Sequence, residues 1–268
     1  MKLTIITITY NSENTLEQTI KSVISQKASN VEYIIIDGGS SDQTLNIINY
    51  YRQDIDILVS EADKGISDAF NKGIKRASGD IIGIINSDDI LYEGAAETVL
   101  SAFAEDSDID VLFGNLMVFK DEVKKGHLVR SSSNLKKLRY ALLIPHPCVF
   151  ISRKAYKKYG LYSLEYKNAM DYELISRMYY SGAKFKYFDK ILAGFREGGQ
   201  SIASFDVTLN EHKKIAKRNG AKAAELNAYL LYVRMREYVM PFIREMGIDR
   251  GMRDIVQKSR KIQNRKKL

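Results

Sequence analysis

Short aliphatic runs punctuate the first ninety positions of the chain, and each stops at a polar cluster. Leu3 to Ile8, Val31 to Ile36, Ile55 to Val59 and Ile81 to Ile85 are rich in Ile, Val and Leu. Runs of this length and composition predict strands buried on both faces. Helices are expected between them. One runs to about Ser25 behind a capping box, Thr15-x-x-Gln18. Another covers Gln43 to about Gln53, capped by Ser41 or Asp42, and a third covers Ser67 to Ala77. Strands alternating with helices through short loops specify an α/β fold with a doubly wound, largely parallel sheet.

The rhythm changes after Asp89. A helix is predicted over Glu93 to Ala104 and a strand over Asp110 to Phe119, with His127 to Arg130 as a hairpin-like edge. Cys148 to Ser152 reads as a strand. Met170-Asp171-Tyr172-Glu173 opens a helix to about Tyr180, and Lys184 to Asp189 and Ile191 to Phe195 are strand-like. A glycine loop, Gly198-Gly199-Gln200-Ser201, follows. From Val207 the pattern is helical, which divides the chain into a body of residues 1–206 and an extension of residues 207–268.

Charge sharpens that division. The net charge of +8 over 268 residues sits in the extension, which holds 16 Lys and Arg against 6 Asp and Glu; the body holds 25 against 27. A basic tail on a near-neutral body suggests a polyanionic partner, either an anionic lipid surface or nucleic acid. Apolar stripes through Leu226, Leu230 and Val233 equally fit a helical bundle packed on the body. Aromatic residues are too sparse in the tail for base stacking, so no nucleic acid is expected. The single cysteine, Cys148, rules out an internal disulfide and fits a reducing cytoplasm. No apolar run approaches bilayer length, so peripheral attachment at the inner face of the membrane is the expected form of membrane contact.

In a parallel sheet the polar clusters that end the strands share one edge, where such folds bind ligands. There Tyr10 can stack on a base, Asp37 can accept an imide N–H or a ribose hydroxyl, and Gly38-Gly39 lets backbone approach closely. Lys64 can offset phosphate charge. The adjacent carboxylates Asp88 and Asp89 repel each other unless a hard cation such as Mg²⁺ or Mn²⁺ joins them, although such a pair also suits a helix cap. A G-x-G-x-x-G fingerprint and a P-loop are both absent.

These motifs taken in order resemble family 2 glycosyltransferases. They are Ile8-Thr9-Tyr10-Asn11, Ile36-Asp37-Gly38-Gly39-Ser40-Ser41-Asp42, Glu61-Ala62-Asp63-Lys64-Gly65 through Gly73, and Asn86-Ser87-Asp88-Asp89, which is similar to the D-x-D element with Ser87 in place of its first Asp. His146, Asp171-Tyr172-Glu173-Leu174 and Gly198-Gly199-Gln200-Ser201 resemble the branch making colanic acid and O-antigen polysaccharides. The resemblance covers residues 3–203. It implies a GT-A fold and inverting transfer from a nucleotide-sugar donor, UDP-sugar by preference, to a glycan or polyprenyl-diphosphate-linked acceptor. It further implies Thr9, Tyr10, Asn11, Asp37, Asp63, Lys64, Gly65, Asp68, Asn71, Ser87 and Asp88 around the donor, Asp89 on Mn²⁺ or Mg²⁺, and Asp171 as catalytic base. Asp171 also suits the N-cap of its helix. His146, Glu173 and Ser201 stand as residues for the acceptor or diphosphate. A sugar nucleotidyltransferase is the alternative enzyme, and a processive synthase is disfavoured because there is no Q-x-x-R-W element.

Overall fold

The computed structural model describes residues 1–198 and 205–235. Four strands build the first half of the sheet: β1 (Leu3–Thr9), β2 (Val31–Asp37), β3 (Ile57–Ser60) and β4 (Ile81–Ile84). They run parallel in the order β3-β2-β1-β4. The ladder registers Thr9 on Asp37 and Asp37 on Ser60, so the polar strand ends line up at one edge. Side chains of β2 alternate between two cores. Ile34 and Ile36 pack under α3 (Ile66–Arg76), while Tyr33 and Ile35 join the apolar faces of α1 (Leu16–Ile24) and α2 (Thr44–Tyr50). Both faces being covered is why these strands carry no polar alternation.

The second half is mixed. Antiparallel β8 (Val149–Ser152) follows β4 and is bordered by β6 (Val111–Phe119), which β9 (Phe185–Arg196) joins in parallel. The edge strand β5 (Ile90–Leu91) closes that side, and β7 (His127–Val129) pairs with β6 as a hairpin. Helices α4 (Ala95–Glu105), α5 (Arg153–Tyr159), α6 (Met170–Tyr180) and α7 (Phe205–Arg218) cover the faces. One compact unit spans Met1–Gly220 and therefore includes α7, inside which the expected 206/207 boundary falls. A second begins at Ala221 and contains α8 (Ala223–Arg234).

Three local expectations are corrected. The capping box does not form: Thr15 makes no side-chain cap, and Gln18 Oε1 instead accepts from Arg196. The two strand-like segments near 184–195 are one strand, β9, which shifts register opposite Phe113 and Asn115. Cys148 belongs to a 3₁₀ turn, His146–Cys148, just before β8.

Candidate active site

A cleft of about 470 Å³ opens at the aligned strand ends. Its walls come from the end of β1 (Thr9, Tyr10, Asn11), the entry to α3 (Asp63, Gly65, Ile66), the turn after β4 (Asn86, Ser87, Asp88) and the end of β9 (Arg196). Asn11 holds a left-handed backbone at φ 46°. Its N–H donates to Ser40 Oγ at 2.8 Å and its Oδ1 accepts from Ser41 N–H at 2.9 Å, which fixes the turn presenting Tyr10. Tyr10 is 55% exposed, an open ring at the rim. The Ser12 and Ser87 hydroxyls meet at 2.8 Å and join the β1 turn to the acidic turn. Gly38 lies so close to this wall that a Cβ there would fall 2.6 Å from Asp63 Oδ2. Asp63 Oδ1 in turn accepts from Gly65 N–H.

The two adjacent carboxylates are not equivalent. Asp88 faces the cleft, and burial raises its carboxyl above the usual range. Asp89 is fully buried beneath it, with Oδ1 accepting the Arg196 N–H at 3.2 Å. Burial, and then the charge of Asp88, push Asp89 well above an ordinary carboxyl. Asn86 Oδ1 and Thr9 Oγ1 are buried beside them without a hydrogen-bond partner. Two carboxylates disfavoured as anions and an unsatisfied amide oxygen are oxygen donors of the kind that a hard divalent ion takes. Among the described residues no cluster of three or more His, Cys, Asp or Glu completes such a site, so the remaining ligands would come from phosphate or water.

Arg196 is the residue missed in the sequence. Its Nε donates to Asp88 O, Nη1 to Lys120 O at 3.0 Å and Nη2 to Gln18, while the guanidinium lies 4.8 Å over the Phe119 ring. The available signal was its place as the last residue of a strand, the criterion that picked the ends of β1 to β4.

The fold brings Thr9, Tyr10, Asn11, Asp63, Gly65, Ser87 and Asp88 into the cleft wall, and the other expected residues that the structure describes do not line it. Asp37 is fully buried and accepts from Ser60 Oγ at 2.6 Å, from Ser40 Oγ, and from the Gly39 and Ser40 N–H groups, so it fastens the ends of β2 and β3. Lys64 is exposed and its N–H caps onto Asp68, which pairs with Lys72. Asn71 clasps the backbone N–H and C=O of Tyr162. His146 stacks on Phe70 at 4.9 Å, and burial lowers it to about 4, leaving it neutral. Glu173 is salt-bridged to Arg177 and Arg218. Ser201 lies outside the described residues.

Asp171 sits in the first turn of α6 but is not its N-cap. That position is Ala169, and no side chain of its own caps it. Desolvation raises the Asp171 carboxyl to about 6, against a backbone hydrogen bond from Tyr172 that lowers it. Its charge reaches the Tyr162 hydroxyl. Tyr162 packs on Phe70 of α3, next to Ala69 in the cleft wall. Asp171 itself does not line the cleft.

Comparison with known proteins follows the same lines. The model of glycosyl transferase family 2 matches residues 4–161. A PGL/p-HBAD biosynthesis glycosyltransferase of Mycobacterium bovis is 26% identical over 224 residues, 81% of this chain and 86% of its own. S. aureus TarS 1-349 in complex with UDP-GlcNAc aligns with a TM-score of 0.66 at 20% identity, covering 82% of this chain and 66% of that one. The mannosyltransferase PcManGT from Pyrobaculum calidifontis, in complex with GDP-Man and Mn²⁺, aligns at 0.61 and 16% identity over 85% and 69%. The likeness to these structures is one of fold, the GT-A architecture.

Proposed function

The chain belongs to glycosyl transferase family 2, and on that premise we propose that it moves a sugar, with inversion, from a nucleoside-diphosphate donor to a hydroxyl of a glycan or polyprenyl-diphosphate-linked acceptor in surface polysaccharide biosynthesis. The observation that carries the reading is the convergence of the β1, α3, β4 and β9 ends on one cleft with an acidic floor. Tyr10 would stack on the base and Thr9, Asn11 and Asp63 would hold the nucleoside. A UDP-sugar is the first donor to test, in line with the ligand of the TarS complex. Asp88, the Asn86 amide oxygen and the underlying Asp89 would hold Mn²⁺ or Mg²⁺, which when bound supplies positive charge to the departing diphosphate. Arg196 would keep that turn in place.

Inverting displacement needs one base opposite the leaving group and no covalent nucleophile. Asp171 fills that role: a carboxyl near 6 is ionised at neutral pH yet basic enough to take the acceptor proton. The test is a panel of UDP-, GDP- and dTDP-sugars with Mn²⁺, Mg²⁺ or EDTA, read by thermal shift and by nucleoside-diphosphate release. One nucleotide class should stabilise the protein and turn over with metal, and Asp88→Asn should abolish both. Pyrophosphate release from a nucleoside triphosphate and a sugar phosphate would instead make the protein a sugar nucleotidyltransferase.

The tail supplies the acceptor side. Among the described residues no helix is long and apolar enough to cross a membrane. Leu231, Tyr232 and Met235 are exposed in a stretch whose charge is strongly positive. Adsorption to an anionic membrane would bring a lipid-linked acceptor within reach. Pelleting with anionic liposomes at low salt, lost at high salt and on removal of the chain beyond Gly220, is the expected result; salt-insensitive binding to neutral vesicles would contradict it.

A further inference from the structure

Helix α6 carries Asp171 yet lacks a cap of its own. Its entry is held from outside. Glu211, on α7, accepts the backbone N–H of Lys167 at 2.8 Å through Oε1, and those of Asn168 and Ala169 at 2.9 Å through Oε2. Ala169 is the N-cap of α6, and its N–H is one of the donors that a helix start leaves unsatisfied, while Lys167 and Asn168 lie just before it. One carboxylate that holds these three consecutive N–H groups, the last of them two residues ahead of Asp171, fixes the chain where it enters α6.

Neighbouring bonds complete the hold. Glu173 of α6 bonds to Arg218 of α7 at 2.8 Å and to Arg177 in its own helix. Arg177 donates to Tyr159 O and Leu161 O. From the other side Asn71 of α3 grips both backbone groups of Tyr162. His212, beside Glu211, packs its ring 4.8 Å from Tyr172, the residue after Asp171. The segment 159–169 is thus pinned at both ends by side chains from three helices.

We infer that Glu211 is a positioning residue for transfer: from α7 it sets the entry of α6 so that the Asp171 carboxyl is held against the acceptor side of the reaction centre. The inference rests on the base role of Asp171 proposed above. Glu211 is not among the residues that line the cleft. Its effect would therefore fall on turnover and not on donor affinity, unlike that of a residue of the cleft wall. Asp171 is half-buried, and freeing the segment would let more water reach its carboxyl. Tyr162 is the titratable group that faces this carboxyl from the pinned segment, and its hydroxyl stays protonated across the working range because burial raises it.

The experiment uses the full chain with Mn²⁺ and the active sugar nucleotide. Glu211→Gln keeps one acceptor oxygen, and Glu211→Ala keeps none. The expected result is a graded fall in kcat, at least tenfold for Ala and smaller for Gln, with donor KM and donor thermal shift within twofold of the parent. The acid limb of the kcat profile should move towards lower pH, because a wetter carboxyl titrates nearer its ordinary value. Unchanged kcat in both variants overturns the inference. So does a fall in kcat matched by loss of donor affinity with the acid limb unmoved, since that is general destabilisation. If Glu211→Ala does not fold, Glu211→Gln decides alone on the same criteria. Asp171→Asn is run in parallel. If it retains full turnover, the base reading fails; if it is inactive while the Glu211 variants match the parent, only the positioning role fails.

Discussion

Asp171→Asn should separate activity from stability in opposite directions, because a base held in a desolvated place costs the fold something. The carboxyl is raised from 3.8 to about 6. Its protonated form is therefore the one the fold prefers. Stability from that preference is complete below the ordinary value and is lost as pH rises through about 6. A shift of about two units corresponds to on the order of 2–3 kcal/mol of penalty on the ionised form at neutral pH. Asparagine carries no charge and keeps an oxygen for the Tyr172 N–H. At pH 7 the variant should melt about 5 °C or more above the parent, given the size of the unit, and the difference should vanish near pH 4. Transfer should fall by several orders of magnitude with donor binding intact. The parent's kcat should drop roughly tenfold from pH 7 to pH 5, the behaviour of a required base with this ionisation. Calorimetry across pH and initial rates at saturating donor measure both effects. A variant that turns over normally, or melts lower at pH 7, would refute the reasoning.

Three further outcomes are expected. Gly38→Ala places a methyl 2.6 Å from Asp63 Oδ2, the far end of a side chain that can swing away; the displaced carboxylate should weaken donor binding by about tenfold, or about 1.4 kcal/mol, seen by titration calorimetry, with little change in melting. Arg196→Ala removes one charge-assisted bond to the acidic turn, at Asp88 O, and two that brace the arginine on Lys120 O and Gln18, each worth about 1.5–3 kcal/mol, so kcat/KM should fall roughly ten- to hundredfold, and Arg196→Lys should not restore it because one ammonium cannot reach three acceptors. Glu32 is buried. Burial alone would raise it, but bonds from Ser78, Thr4 and Lys2 hold it at about 2 against 4.5. Glu32→Ala should cost about 3 kcal/mol in urea unfolding above pH 5, and progressively less as acid brings the parent's carboxylate towards protonation near pH 2.

The strands were legible because burial on both faces leaves a continuous apolar signature, and their polar ends located the cleft. Individual roles were harder to read. Asp37 and Asp88 both end apolar runs, but Ser40 and Ser60 occupy the first while the second faces open space. Gln18 was read as half of a capping box because its actual partner, Arg196, lies 178 positions away. Asn71 and Glu173 stand in the right stretches of chain, and their observed bonds fasten Tyr162 and tie α6 to α7, on either side of the entry to the helix that carries Asp171. In each case the deciding contact is distant in sequence, and a local pattern cannot contain it.

The position of β5 has a consequence for the acidic turn. In a flat sheet, four strand spacings would separate β4 from β5, about 19 Å, and the chain from Ile84 to Ile90 would need to be almost fully extended, at about 3.5 Å for each step between residues. They are not extended, for Asp89 N–H folds back onto Asn86 O. The sheet must therefore roll inward until its far border meets α1, where Thr19 Oγ1 donates to Asp89 O and Gln26 Nε2 donates to Leu91 O and Tyr92 O. Asn86 to Asp89 is then a buckle fastening one rolled surface, as well as the floor of the cleft. Inserting or deleting a single residue there would unroll the sheet and dismantle the floor together, so the architecture of this stretch depends on its length as much as its chemistry depends on its side chains.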